Sequence, residues 1–386
     1  MKVLMVGMEW LPNRTGGLNR YFYDAVHALP AVGIGGTALV TYVKQGQEAP
    51  LELRPMADEG ASLLQVWRGA RRAVQRALRE DVEMVNPHFA LYTWPWLREL
   101  PQSTPVVVNF QGPWADEIAV EANKRFLSLR VRLARRMERR VYHRANRIIT
   151  LSDSFRELIV SKYGVDASRV RVVPGGMDAG RFLAAPERRE ARERLGWPQD
   201  RRILFSVRRL TRRMGLENLI DAFATVQREH PDALLLIGGR GHLEQELKER
   251  IAASGLNDEA RLLGFIPDDD LPLAYAAADL TVVPTVAYEG FGLVTLESLA
   301  AGTPVLGTDV GGTPEILRGL SRCLIFESPS PEAMAERLSR ALAGRITLPD
   351  RAACRDYVSR YAWTEIAPRI RQVFEEVHSC GVKTPF

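Results

Sequence analysis

Residues 284–305 read PTVAYEGFGLVTLESLAAGTPV, and their reading decides the fold. The β-branched run Leu280-Thr281-Val282-Val283 leads into them as a buried strand. A turn follows with Glu289, Gly290, Phe291 and Gly292, and then a helical pattern from Leu293 to about Ala301. Gly302 stops that helix, and Thr303-Pro304-Val305 begins the next strand. A helix N-terminus therefore stands just beyond a strand end, with glycines that let a ligand approach the backbone. Unpaired amides and the helix dipole make such a position attractive to a phosphate. Glu289 precedes the helix and Glu297 lies inside it. Carboxylates are odd anion ligands but good acceptors for sugar and ribose hydroxyls. The competing reading is one capping glutamate and one solvated one; the Gly-Phe-Gly between them favours a ligand.

At 386 residues the chain is long for one core and comfortable for two domains of ordinary size. No apolar run approaches the roughly 18–20 residues that span a bilayer. The opening MKVLMVG is a short strand, too quickly followed by polar residues for a signal peptide. Cys323, Cys354 and Cys380 lack metal-type spacing and read as reduced thiols of a cytoplasmic protein. The net charge of +5 is unevenly placed: residues 124–147 carry ten Lys or Arg against one acidic residue, Glu138. That excess says more about partners than the total does.

Glu289 and Glu297, with seven residues between them, resemble the paired glutamates of the retaining glycosyltransferases of family 4. The resemblance covers nearly the whole chain. It implies an α/β chain of the GT-B fold: two Rossmann-like domains facing across a cleft, with a C-terminal helix crossing back to the N-terminal domain. The expected domains are 1–176 with the crossing helix 364–380, on the acceptor side, and 177–363, which binds the nucleotide sugar. Pro174-Gly175-Gly176-Met177-Asp178 is the expected connection, since boundaries favour Pro/Gly segments. The implied co-substrate is a nucleotide-diphosphate sugar, with no cofactor and no essential metal. The implied acceptor is a sugar or a lipid-linked hydroxyl.

In chain order, residues 2–7 read as a first strand, followed by the Gly-rich loop 13–17 and a helix over 18–28. The loop lacks the G-x-G-x-x-G spacing of a dinucleotide site. The resemblance puts Gly16 and Gly17 near donor phosphate and acceptor; the plainer reading is a tight turn. Further strands near 37–43, 82–85 and 106–110 alternate with helices, which argues a parallel sheet covered on both faces. Functional side chains collect at its C-terminal strand ends. Related enzymes commonly carry a histidine where this chain has Gln111, which hydrogen-bonds a hydroxyl but is no general base. His88 is the one nearby substitute, although a lone histidine at a strand end is more often structural.

Two basic amphipathic helices are expected, over 67–79 and over 126–145. Leu127, Val131, Ala134, Met137 and Val141 form the apolar stripe of the second. Their dense, single-signed charge suggests an anionic membrane surface or acceptor, met by helices 67–79 and 124–147, against the plainer reading of two solvated faces. A protein peripheral on the inner face of a membrane is the matching location. Nucleic acid is not expected, since no recognition motif appears.

In the second half, residues 208–215 read RRLTRRMG. The resemblance puts a diphosphate-gripping arginine at Arg209 and a lysine at the position of Met214. Methionine supplies no charge, so Arg213, or else Arg212, is expected to reach in instead. Gly238-Gly239-Arg240-Gly241 is a strand-to-helix turn open to close approach, weak as a signal alone. In the resembled enzymes the base is held near Phe265, mostly by backbone groups. Asp268-Asp269-Asp270 mimics a metal motif, but an acidic helix start explains it better. The set expected at the reacting sugar is Glu289, Arg209, Arg213 and Gln111; the nucleotide set is Glu297, Gly16, Gly17, Gly239, Phe265 and the turn Gly290 to Leu293. The competing classes are a catalytically weak nucleotide-sugar-binding scaffold and a nucleotide-sugar hydrolase or epimerase on the same fold.

Overall fold

The computed structural model describes residues 1–11, 13–121 and 127–381, so Lys124, Arg125 and Phe126 of the basic stretch, and the side chain of Leu127, lie outside the described residues. The chain divides into two compact units, Met1–Met177 with Tyr361–Phe386, and Asp178–Arg360.

Seven strands build the first unit: β1 (Lys2–Val6), β2 (Gly35–Val40), β3 (Glu52–Pro55), β4 (Met84–Pro87), β5 (Val107–Phe110), β6 (Arg147–Thr150) and β7 (Val170–Val172). Their order is β3-β2-β1-β4 and β5-β6-β7, all parallel, and a parallel Val85–Val106 bridge joins the two sets. Strand β3 escapes sequence reading because Glu-Leu-Arg-Pro at an edge has little apolar signal. The pleat divides β1 between two cores. Leu4 and Val6 face helices Leu63–Ala77, Leu127–Arg144 and Asp153–Tyr163, whereas Val3 and Met5 face helices Gly17–Ala28 and Trp363–Gly381.

The last helix joins the first unit although it ends the chain. Ile366, Ile370, Val373, Phe374 and Val377 are buried at helical spacing, and Glu376 accepts from Arg147 Nε at 3.1 Å and pairs with Arg171 Nη2 at 2.8 Å. Gly176 makes room for the returning chain, since a Cβ there would lie 2.4 Å from the Trp363 indole.

The second unit contains β8 (Arg202–Val207), β9 (Ala233–Gly238), β10 (Ala260–Gly264), β11 (Leu280–Val283), β12 (Val305–Thr308) and β13 (Ile325–Phe326). They form one parallel sheet, β10-β9-β8-β11-β12-β13. Each unit thus runs outward from its first strand in one direction and then reverses, as in doubly wound folds. The reversal falls between β1 and β4 in one unit and between β8 and β11 in the other. Loops leaving two such strands diverge to opposite faces and leave a crevice.

One buried carboxyl in the first unit titrates far from its usual range. Glu138 is fully buried and accepts from the Tyr163 hydroxyl at 2.9 Å. Burial pushes it up to about 7, against the pull of Tyr163 and the Ala115 amide. The unfolded carboxyl ionises first as pH rises, so the folded unit loses stability between the ordinary glutamate value and about pH 7. Glu138→Gln is expected to abolish about 3 kcal/mol of that loss. Thermal unfolding of both proteins across the pH range checks this; parallel curves would contradict it.

Candidate functional site

The crevice of the second unit gathers the charged residues. Immediately past β8, Arg208 turns inward with its side chain 5% exposed and pairs with Glu289. The same Nη2 donates to Thr285 Oγ1 at 2.8 Å and lies 2.9 Å from the Met214 sulfur. Its buried Nε has no hydrogen-bond partner among the described residues. Burial drives the Glu289 carboxyl up, but the charge and hydrogen bond of Arg208, helped by Arg213 and Thr285, outweigh it and hold the group below the ordinary range. Glu289 is therefore ionised at neutral pH.

The loop carrying Glu289 is fixed by close backbone packing. Gly215, in the left-handed region, sits where a Cβ would be 2.0 Å from the Pro284 carbonyl oxygen. Gly311, at φ 66°, stands equally close to the Glu289 carbonyl oxygen, and the Gly312 amide donates to that oxygen at 2.8 Å. Tyr288 adopts φ 53°, an uncommon conformation for a side chain of that size, and its carbonyl accepts from Arg213 Nη1 at 2.9 Å. In return the Arg213 carbonyl accepts from the Val286 amide at 2.9 Å. Arg213 is buried and buttresses the loop.

Helix Leu293–Ala301 begins at Gly292, which is left-handed and offers no side-chain cap. Two buried hydroxyls, Thr295 and Thr313, border that start, and neither has a hydrogen-bond partner among the described residues. Uncapped amides, orphaned hydroxyls and a buried cation together suit a phosphate-bearing ligand. Phe291 is buried below the turn, Gly290 lies against Gly312, and Leu293 is half-buried. Glu297 accepts from the Tyr275 hydroxyl at 2.9 Å, which sets its carboxylate at one orientation.

Other expected residues stand differently. Arg209 is exposed, and its neighbour Arg208 is the one that reaches Glu289. Arg212 pairs with Glu246 at 2.9 Å and Glu217 at 3.3 Å. Arg208 is a cation beside Met214, and Arg213 adds its charge at Glu289. Gly239 is explained by packing: at φ 131°, a Cβ there would lie 1.8 Å from the Arg208 carbonyl oxygen. Phe265 is 45% exposed with the Arg240 guanidinium 5.5 Å over its ring. Asp268 pairs with Arg181 at 3.4 Å, and Asp270 precedes helix Leu271–Ala277. No group of residues able to hold a metal ion occurs among the described residues.

In the first unit, Gly16 and Gly17 are exposed at the uncapped start of helix Gly17–Ala28, with open space around both. Gln111, at the end of β5, is half-buried with its Nε2 lacking a partner among the described residues. His88 is buried against Tyr21 and Phe22, with Nε2 2.8 Å from Asn86 Oδ1 and 3.0 Å from Asn109 Nδ2. Burial lowers it to about 3, so it stays neutral and serves the polar core.

The residues that sequence reading missed are Arg208, Thr295, Thr313 and Gly311. Position carried a signal for the first, which directly follows a strand at the reversal point. The others are small residues whose contacts arise only when β12 lies beside β11.

The model of the glycosyl transferases group 1 matches residues 187–360, and that of glycosyltransferase family 4 matches residues 15–181. An uncharacterized glycosyltransferase of Methanocaldococcus jannaschii is 31% identical, over 59% of this chain and 59% of its own length. The D-inositol 3-phosphate glycosyltransferase of Corynebacterium jeikeium is 26% identical, over 99% of this chain and 98% of its own. Among solved structures, Anabaena HepE in complex with UDP-glucose superposes with a TM-score of 0.73 at 19% identity, over 97% of this chain and 100% of its own. The two-domain fold is GT-B.

Proposed function

We propose, since this chain belongs to the group 1 glycosyl transferases of family 4, that it moves a sugar from a nucleotide-diphosphate sugar to an acceptor hydroxyl with retention at the anomeric carbon. The single observation that carries this reading is the meeting, in one crevice, of the uncapped helix start at Gly292, the buried Arg208 and the carboxylates Glu289 and Glu297. The helix amides, Thr295 and Thr313 receive the diphosphate, and Arg208 stands where negative charge grows as the sugar–phosphate bond breaks. Arg209, exposed at the same strand end, binds the distal phosphate. Glu289 accepts from donor-sugar hydroxyls, and Glu297, steadied by Tyr275, accepts from the ribose. Phe265 offers a flat face to the base.

The Thr285 hydroxyl beside Glu289 accepts from Arg208, and the Glu289 carboxylate is paired with the same guanidinium. Both are held by that cation, which favours attack by the acceptor oxygen on the face the diphosphate leaves. The new carbon–oxygen bond forms as the sugar–phosphate bond breaks, and the departing phosphate oxygen takes the acceptor proton. His88, neutral and buried, has no part in that transfer.

The test is a thermal-shift screen of nucleotide-diphosphate sugars, followed by product analysis with the stabilising donor. Transfer yields a glycosylated acceptor with the donor's anomeric configuration. Free sugar alone would make the protein a hydrolase, and no turnover with binding would make it a scaffold. Glu297→Ala should weaken the free nucleotide by roughly tenfold, the scale of one charge-assisted hydrogen bond. Equal affinity by calorimetry would remove the ribose assignment.

A further inference from the structure

The sugar site makes no use of the two basic helices of the first unit. Helix Leu63–Ala77 begins earlier than charge alone suggests, because Ser62 and Gln65 form a reciprocal capping box. That start brings Leu63 and Leu64 into the helix, 44% and 61% exposed. On helix Leu127–Arg144, Ala134, Met137 and Val141 pack inward, while Leu129 and Leu133 are 74% and 53% exposed. Four of the six large hydrophobic side chains exposed among the described residues therefore lie on these two helices. Both helices cover the same face of the sheet, with segment Trp94–Glu99 packed against each.

Arginines surround these leucines. Arg68 and Arg72 are exposed on the first helix, and Arg132 and Arg136 on the second. Between the first helix and residues 56–61 runs an open groove of about 820 Å³, lined by Arg68, Arg71, Arg72, Met56 and Ala57. Its two acidic liners, Asp58 and Glu59, stand on the far wall, and Arg71 is paired with Glu99 at 2.6 Å.

Single exposed leucines need no explanation, but leucines set among cations of one sign on a common face do. A second copy of the chain would bring a like-charged face against this one, and a nucleic-acid backbone would leave the leucines in water. We propose that this face seats the protein on an anionic lipid bilayer. Leu63, Leu64, Leu129 and Leu133 enter the boundary between headgroups and acyl chains, and the arginines bind lipid phosphates, with the Arg68–Arg72 groove taking a headgroup. Long arginine stems lie along the apolar layer while their charged ends stay at the phosphates. Among the described residues no helix is long and apolar enough to cross a membrane, so the contact lies on one leaflet.

Flotation of the full chain with vesicles of phosphatidylcholine, alone or mixed with phosphatidylglycerol, tests the proposal. Binding is expected only to the mixed vesicles and should fall as salt rises. Arg68→Gln with Arg72→Gln should lower the partition coefficient about twenty-five-fold, at about fivefold for each charge removed. Leu64→Ser with Leu129→Ser should lower it on the order of tenfold or more, since two apolar anchors are lost. These side chains are exposed, and unchanged circular dichroism and nucleotide binding would show the variants folded. Absence of vesicle binding would overturn the proposal. So would binding indifferent to the leucine changes, which marks simple adsorption of a basic surface. A leucine-dependent dimer by light scattering, or arginine-dependent binding to single-stranded DNA without vesicle binding, would assign the face to another partner.

Discussion

Arg208→Ala should reduce turnover by about 10²–10³-fold, as removal of one preorganised charge stabiliser does. The guanidinium is buried beside Glu289, in a crevice where little water screens its charge. A second consequence separates this role from a merely structural one. With Arg208 present, Glu289 is held ionised; without it, burial is the largest remaining influence, and the carboxyl must rise. The acid limb of the rate profile should then move to higher pH in the variant. Removing one partner of a buried pair also costs about 3–5 kcal/mol of stability, so thermal unfolding should show the loss. Because the Met214 sulfur lies 2.9 Å from Arg208 Nη2, a lysine at position 214 can bring an ammonium to the same place. Arg208→Ala with Met214→Lys should recover at least about tenfold, the worth of a partly restored charge contact. Full activity in Arg208→Ala, with an unmoved acid limb, would show that the cation is not required there.

Gly311→Ala should cripple the protein without touching any charge. At φ 66° the residue is left-handed, where a side chain costs about 1–2 kcal/mol. The added methyl would also fall 2.0 Å from the Glu289 carbonyl oxygen, so the backbone carrying the carboxylate must retreat. A shift near 1 Å at a reacting group costs on the order of 10²-fold in rate. Gly344→Ala is the matched control. Gly344 has φ 67° but nothing within 4 Å of its would-be Cβ. It should carry only the conformational cost and keep full turnover. Equal activity of the two variants would mean that the loop tolerates displacement, and that the packing of Gly311 on Glu289 does not set the site.

Both predictions rest on contacts between β-strand ends that are far apart in the chain. The sequence by itself determined what depends on neighbours along it. Leu280–Val283 is β-branched and apolar and can only be a buried strand. Gly292 and Gly302 bracket the helix between them, and the alternation of strands and helices makes the sheets parallel. The spacing of Glu289 and Glu297 around a helix start was legible for the same reason. Tertiary structure alone decided which of two adjacent arginines is buried beside Glu289. Successive side chains at a strand end point to opposite sides, so a difference of one residue exchanges the inward and outward groups. Arg208 turns inward because Gly239 and Gly241, closing β9, pack against the backbone of residues 208–210 and Thr285 receives its guanidinium. Those contacts join β8 to β9 and β11, and neighbours along the chain say nothing of them.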